Sequence, residues 1–220
     1  MIPDSKCYSK TVKKKSKQAP LSRTESQAQT RERLVHAAWD LVARQGLTGA
    51  SVRDIAEAAG YSQGAFYSNF SSKEDILLEL KRRHMAAEAA ELEVLLDQAR
   101  RNPERAMNVV EGWCLNFNQH IDWGKVSLEL QLYASSSSAF AKECDQLYRG
   151  HRRKLGEVIA GLFNLFNKTP PAPAEDVAES LMALAHGMAL FRRPGERDRA
   201  GEMIFLHLQA LLTERSQTPR

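Results

Sequence analysis

Between Ser51 and Lys73 the chain gathers side chains that recognise rather than react. Ser51, Arg53, Ser62, Gln63, Gly64, Tyr67, Asn69 and Lys73 supply hydroxyls, amides, two cationic groups and one bare backbone position. Gln63 can make paired hydrogen bonds to an adenine edge in the major groove of a DNA duplex. Ser51, Arg53 and Lys73 suit phosphate oxygens, which set register without reading sequence. Gly64 permits close approach because it carries no side chain. Tyr67 suits a phosphate or a thymine methyl, with partial core packing as its other use. Asn69 suits either a nucleic-acid contact or a local cap. Turnover fits less well. Glu129, His120 and Cys114 are reactive types, but no nucleophile-base spacing or phosphate-binding glycine pattern connects them. Cys7, Cys114 and Cys144 are too widely separated for a structural zinc site, so no catalytic residue, metal set or cofactor is expected.

The elements that must position these groups are helical. Leu34, Ala37, Ala38, Leu41 and Val42 recur at three- and four-residue steps and predict a helix over about 28–45, with Gly46 as its stop. Ser51 caps a short helix, SVRDIAEAA, with Asp54 as an acidic partner to the cap. Gly60 ends it, and Ser62 starts a second short segment, SQGAFYSNF, in which Ala65, Phe66 and Phe70 are anchors. Ser71 or Ser72 caps a long helix from about 73 to 99, whose Ile76, Leu77 and Leu80 return to the same small core. Two helices joined by a glycine-containing turn can lay one across the duplex backbone and the next in the major groove.

Helices are further expected at about 103–121, 123–134, 139–167, 174–192 and 197–213, interrupted at Ser135–Ser138, at the proline-rich 169–173 and at RRPGER. The fold class is therefore all-α, with about nine helices: an N-terminal three-helix bundle containing a helix-turn-helix, then a larger helical domain. The expected division is a flexible basic arm at 1–25, a DNA-binding domain at 26–80 that includes the start of the connecting helix, a regulatory, ligand-binding and dimerisation domain at 81–215, and a tail at 216–220.

Charge agrees with this polarity. Residues 1–34 hold nine basic and three acidic side chains, a local +6, which leaves −2 for the rest of a chain with net charge +4. The positive field is concentrated where a polyanion would be met, although a basic terminus can also serve only as a solubilising tail. The start carries charge but no apolar run, and no segment approaches the roughly 20 apolar residues of a membrane span. A cytoplasmic protein with no membrane partner is expected.

The segment TRERLVHAAWDLVARQGLTGASVRDIAEAAGYSQGAFYSNFSSKEDILLEL, Thr30–Leu80, resembles the TetR family of bacterial transcriptional repressors. DIAEAAG looks like that family's scaffold helix and turn, GAFYSNF like its reading helix, and SSKEDIL like the start of its fourth helix. The resemblance implies backbone contacts from Ser51 and Arg53, base reading by Ser62, Gln63, Gly64 and Tyr67, and phosphate binding by Lys73. The chain departs from the family pattern at Asn69, where an aromatic residue or histidine is common. The resemblance also implies a homodimer through the helices at about 174–192 and 197–213, a small organic effector, and release of the operator when the effector binds.

The residues of the larger half offer matching material. Val177, Leu181, Leu184, Ala185, Met188, Met203, Ile204, Leu208, Leu211 and Leu212 suit helix pairing, and small Ala183, Ala185, Gly187 and Ala189 allow close approach; burial within one chain is the other use. Trp113, Phe117, His120, Trp123, Leu130, Tyr133, Phe163 and Phe166 mix aromatic surface with hydrogen-bonding groups, as a pocket for a partly apolar molecule would, and each also serves as ordinary core. An effector can strengthen DNA binding as readily as release it. An architectural or protein-partner-responsive DNA-binding regulator without a small-molecule effector is the alternative function.

Overall fold

Leu34, Val35, Ala38, Leu41 and Val42 are buried along one face of α1 (Arg23–Gly49), which a computed structural model places first among the described residues: 23–116, 123–135, 137–193, 196–197 and 199–213. The helix begins earlier than the apolar periodicity suggests, because RTESQ contains no breaker and stays solvated. Residues 23–25, expected in the arm, are therefore helical, and the rest of the arm lies outside the described residues. Gly46 does interrupt the helix. Its φ of 73° and ψ of 176° kink the chain before the final turn to Gly49.

Three serines start the next three helices by the same local chemistry. At α2 (Val52–Ala58), Ser51 Oγ accepts from Asp54 N–H at 3.2 Å while the Asp54 carboxylate accepts from Ser51 N–H at 3.1 Å, a reciprocal capping box. At α3 (Gln63–Tyr67), Ser62 Oγ accepts from Ala65 N–H at 3.2 Å. At α4 (Lys73–Arg101), Ser72 Oγ accepts from Asp75 N–H at 3.2 Å. Arg100 and Arg101 lie in the last turn of α4, where cations favour the helix dipole and carry the helix slightly past its expected end.

The next element is shorter than expected. A 3-10 turn at Pro103–Arg105 leads into α5 (Ala106–Leu115). Asn116 Nδ2 donates to Gly112 O at 2.6 Å, a side-chain bond that competes with helix propagation, and α5 closes at Leu115, while the rest of the expected run, 117–121, lies outside the described residues. Phe117 and His120 lie outside the described residues. After α6 (Trp123–Ala134), α7 (Ser138–Leu165) ends two residues before its expected limit, because Asn167 adopts φ 52° and Lys168 N–H returns to Phe163 O at 2.9 Å. The hairpin closes with α8 (Ala174–Phe191) and α9 (Ala200–Thr213). Among the described residues there are nine α-helices and no strand, and no helix is long and apolar enough to cross a membrane.

Two apolar clusters organise the molecule. The first joins Leu34, Ile55, Phe66, Phe70, Ile76, Leu77 and Leu80 to Val126 and Leu130 of α6 and to Phe140 and Cys144 of α7, so the small amino-terminal core is completed by the larger half. The second joins Leu95 and Leu96 of α4 to Leu155, Ile159, Leu162 and Phe163 of α7 and to Ile204, Leu208 and Leu212 of α9. Fully burying a Phe or Leu contributes roughly 1.5–3 kcal/mol relative to exposure. The polar reading surface can therefore be short and still be held rigidly.

Candidate nucleic-acid interface

The turn between α2 and α3 is built on Gly60, whose φ of 78° falls in the left-handed region that favours glycine. Gly60 N–H donates to Glu57 O at 3.0 Å and Tyr61 N–H to Ala56 O at 2.8 Å, which ends α2 and redirects the chain. Phe66, fully buried, pins the inner side of α3. Its outer side is thereby committed to solvent. Ser51, Arg53, Ser62, Gln63, Gly64 and Tyr67 are all exposed, and Arg53, Ala56, Glu57, Gly60, Tyr61 and Gln63 border a shallow open groove between the two helices.

Tyr67 meets Phe66 only edge-on, with ring centroids 5.5 Å apart, and remains 56% exposed, so core packing is not its main use. Asn69 and Lys73 are half-buried. Asn69 Nδ2 donates to Ala65 O at 2.8 Å and closes the end of α3, the local cap that was one of its two expected uses. Lys73 Nζ donates to Leu47 O at 2.6 Å, and burial lowers the pKa of its ammonium. An ammonium has three protons, so this bond leaves two for a phosphate. At Asp54, by contrast, the hydrogen bonds from Ser51 hold the carboxyl below the usual carboxylate range.

The reader is braced by charged side chains that the helix-turn-helix motif does not single out. The Arg31 guanidinium lies 4.0 Å from the Phe70 ring centroid, donates to Asn69 O at 2.7 Å and pairs with Glu79 at 3.5 Å. Arg83 forks onto Glu32 at 2.7 and 2.6 Å and reaches Glu79 at 2.7 Å, tying α1 to α4, and these carboxylates raise its pKa further. Glu129 of α6 accepts from Leu47 N–H at 2.6 Å, and Tyr133 donates to Glu74, so α6 grips the junction of α1 and α4 at two points.

The residues expected to line an effector pocket divide between the two cores. Leu130 is buried in the first, with Tyr133 packed against it. Phe163 is buried in the second, with Trp113 and Phe166 packed against it. Phe117 and His120 lie outside the described residues, and of Trp123 only its place at the start of α6 is described. Lys81, His84 and Glu88 of α4, His151 of α7 and His186 of α8 belong to neither core. Their signal in the sequence is the three- and four-residue spacing of Lys81, His84 and Glu88, which places charge on the inward face of α4. Among the described residues no group of three or more His, Cys, Asp or Glu could hold a metal ion.

On the pairing helices, Val177, Ala178, Ala185, Ala189, Ile204, Leu208 and Leu212 face inward and are buried in their own chain. Ala185 and Ala189 thus serve packing within the chain. A Cβ at Gly124 would stand 2.5 Å from Ala189 Cβ, which shows how closely α6 lies on α8. Ala183, Leu190, Phe191, Leu206 and Ala210 are exposed, and a Cβ at Gly187 would meet nothing within 4 Å.

Residues 34–80 match the sequence profile of "Bacterial regulatory proteins, tetR family". The transcriptional repressor KstR2 of Rhodococcus jostii is 40% identical over 63 residues, covering 29% of this chain and 31% of that protein. The transcriptional repressor AcnR of Corynebacterium glutamicum is 30% identical over 131 residues, covering 59% of this chain and 62% of that protein. The matched stretches thus span less than two thirds of these relatives. Over the whole fold, the crystal structure of reduced E. coli NemR is similar with a TM-score of 0.64 at 24% identity, covering 83% of this chain and 97% of that one.

Proposed function

We propose that this chain, which belongs to the TetR family of helix-turn-helix transcriptional regulators, is a dimeric cytoplasmic repressor that α3 directs to a two-fold symmetric operator. One observation carries the reading: buried Phe66 and the Gly60 turn commit Gln63 and Tyr67 to the outer face of a short, doubly capped helix. Gln63 supplies base reading; Ser62, Gly64 and Tyr67 supply close contact; Ser51, Arg53 and the two free protons of Lys73 supply phosphate contacts. Asn69 acts by closing α3, and any nucleic-acid contact it makes is secondary to that cap.

The exposed face of α8 and α9, with Ala183, Gly187, Leu190 and Leu206, is the proposed seam between two copies. Two copies place two reading helices one duplex turn apart, the arrangement that a pair of half-sites demands. A small organic effector acting on the larger half would change that separation through α4, and through the grip of α6 on Leu47 and Glu74. The repressors KstR2 and AcnR support repression as the output.

Recovery of genomic fragments bound by the purified chain, followed by footprinting, tests the proposal. The expected result is protection of a discrete, near-palindromic site by a dimer. A monodisperse monomer that protects no discrete site at low salt overturns it.

A further inference from the structure

Arg23, Gln27 and Arg31 recur every four residues and so share one face of α1. Two of them touch the end of the reading helix: Arg31 donates to Asn69 O at 2.7 Å and lies over the Phe70 ring, and Gln27 Nε2 reaches Ser68 O at 3.4 Å. Ser68 directly follows Tyr67, so the first turns of α1 run beside the exposed end of α3. Residues 23–29 are exposed and include no large apolar side chain. This overhang has nothing to bury within the chain, and whatever precedes Arg23 joins the fold next to the proposed reading surface.

That surface is short of positive charge. Residues 51–73 hold two cations, Arg53 and Lys73, against Asp54 and Glu57, a net charge of zero. Lys73 already gives one proton to Leu47 O, and the bonds from Ser51 favour the ionised form of Asp54. Residues 1–22 hold six lysines, Lys6, Lys10, Lys13, Lys14, Lys15 and Lys17, against Asp4, a local +5, which leaves −1 for the rest of a chain with net charge +4. The whole positive excess thus belongs to the segment that joins the fold beside α3. The segment contains no arginine and one side-chain amide, Gln18, so it is poor in groups that read base edges and rich in point charges suited to phosphate. Arg23 is six positions after Lys17, a reach of up to about 20 Å, against phosphates spaced about 3.4 Å apart along each strand of a duplex.

We propose that residues 1–22 are a second DNA-binding element, a lysine clamp that neutralises backbone phosphates of the duplex next to the groove that α3 enters and adds affinity without adding sequence preference. The inference rests on the reading of α3 as the helix that contacts DNA. In a dimer two clamps act together, one beside each reading helix. α3 then selects the site, and the clamp supplies the attraction that a neutral reader lacks.

The test is a salt series of binding to a recovered operator and to a generic duplex of equal length, by the full wild-type chain and by the full chain carrying Lys13→Gln, Lys14→Gln, Lys15→Gln and Lys17→Gln together. On both duplexes the variant should bind at least about tenfold more weakly at low salt, with a log–log slope shallower by about 0.9 for each phosphate that it no longer neutralises. Its preference for operator over generic duplex should stay within about twofold of the wild-type value, because phosphate contacts carry no sequence information. The slope separates the clamp from a loss of folded protein, which would weaken binding at every salt concentration alike. Equal slopes and affinities would make the segment a solubilising tail only and overturn the proposal. So would a variant that loses its preference for the operator while holding the generic duplex as tightly as before. Because the generic duplex reports on the clamp by itself, failure to recover a discrete operator sinks the reading of α3 and leaves the clamp to be decided separately.

Discussion

The Leu47 backbone N–H donates to the Glu129 carboxylate at 2.6 Å, across 82 residues of sequence. The Leu47 carbonyl accepts from Lys73 Nζ at the same distance. One peptide segment, directly after the Gly46 kink, is thus held by α6 through its donor and by α4 through its acceptor. Any shift of α6 must either drag the end of α1 or break a hydrogen bond. That choice gives the larger half a direct mechanical hold on the reading module, in addition to the continuous rod of α4.

Replacing Glu129 with Ala leaves the Leu47 N–H, half-buried, without its acceptor. A loss of about 1–3 kcal/mol is expected, the ordinary cost of leaving a buried donor unsatisfied. Urea denaturation of the two proteins measures it. Equal midpoints and slopes would mean that water replaces the carboxylate at no cost and that α6 has no hold on this segment.

The glycines separate into positions that need glycine and positions that do not. A Cβ at Gly201 would stand 1.8 Å from the Cys114 carbonyl oxygen, so Gly201→Ala must push α9 away from α5 and disturb the second core. A Cβ at Gly112, within α5, would meet nothing within 4 Å. Gly112→Ala should therefore raise stability by about 0.4–1 kcal/mol through the unfolded chain, while Gly201→Ala lowers it by several-fold more. Thermal melts in parallel check the contrast, and two variants that shift in the same direction would contradict the packing of α9 on α5.

Gln63 and Lys73 should fail differently on DNA. Gln63→Ala is expected to cost about 1–3 kcal/mol of discrimination at one base position, with little change on other sequences. Lys73→Ala should weaken binding to all sequences and reduce the salt dependence, by about 0.9 in log–log slope for each phosphate that the variant no longer neutralises. It should also lower stability, since the Leu47 carbonyl is left without its donor. An unchanged salt slope would assign Lys73 to the Leu47 tether alone.

What could be read from the chain alone was whatever is decided within a few residues. Ser51, Ser62 and Ser72 cap because each has an amide three positions on, and Gly60 turns because its own backbone permits it. Asn116 shows the limit of that reading: its periodic neighbours suggest helix past Leu115, whereas α5 closes there with the Asn116 side chain bonded back to Gly112 O. Leu130 and Tyr133 have two uses by type, pocket or core, and which core they join is decided by α1, α4 and α7 together. The bond from Leu47 to Glu129 depends on which helix faces meet, and no local pattern encodes that.

The imidazoles of His84 and His186 also predict how stability responds to acid. Burial lowers the pKa of His84 to about 4 and also lowers that of His186, against an ordinary value of 6.5. Both imidazoles stay neutral in the folded chain over a range where the unfolded chain takes up protons, so stability is complete above about pH 6.5 and falls as the pH drops toward 4. For His84 the loss reaches up to about 3 kcal/mol at the lower limit. At Glu88 burial raises the carboxyl pKa, but the bond from His151 and the nearby imidazoles outweigh it and hold it below the usual range, so its own contribution is lost only at lower pH. Between pH 6.5 and 5 ordinary carboxylates remain ionised, and the decline there belongs to histidine. Denaturation of the full chain at pH 7.5, 6.0 and 5.0 should show that decline, and His84→Gln should flatten it. His84 also stacks on Trp39 with ring centroids 6.3 Å apart, so tryptophan emission should follow the same transition. Stability that stays level from pH 7.5 to 5.0 would show that these imidazoles take up protons in the folded chain as readily as in the unfolded one.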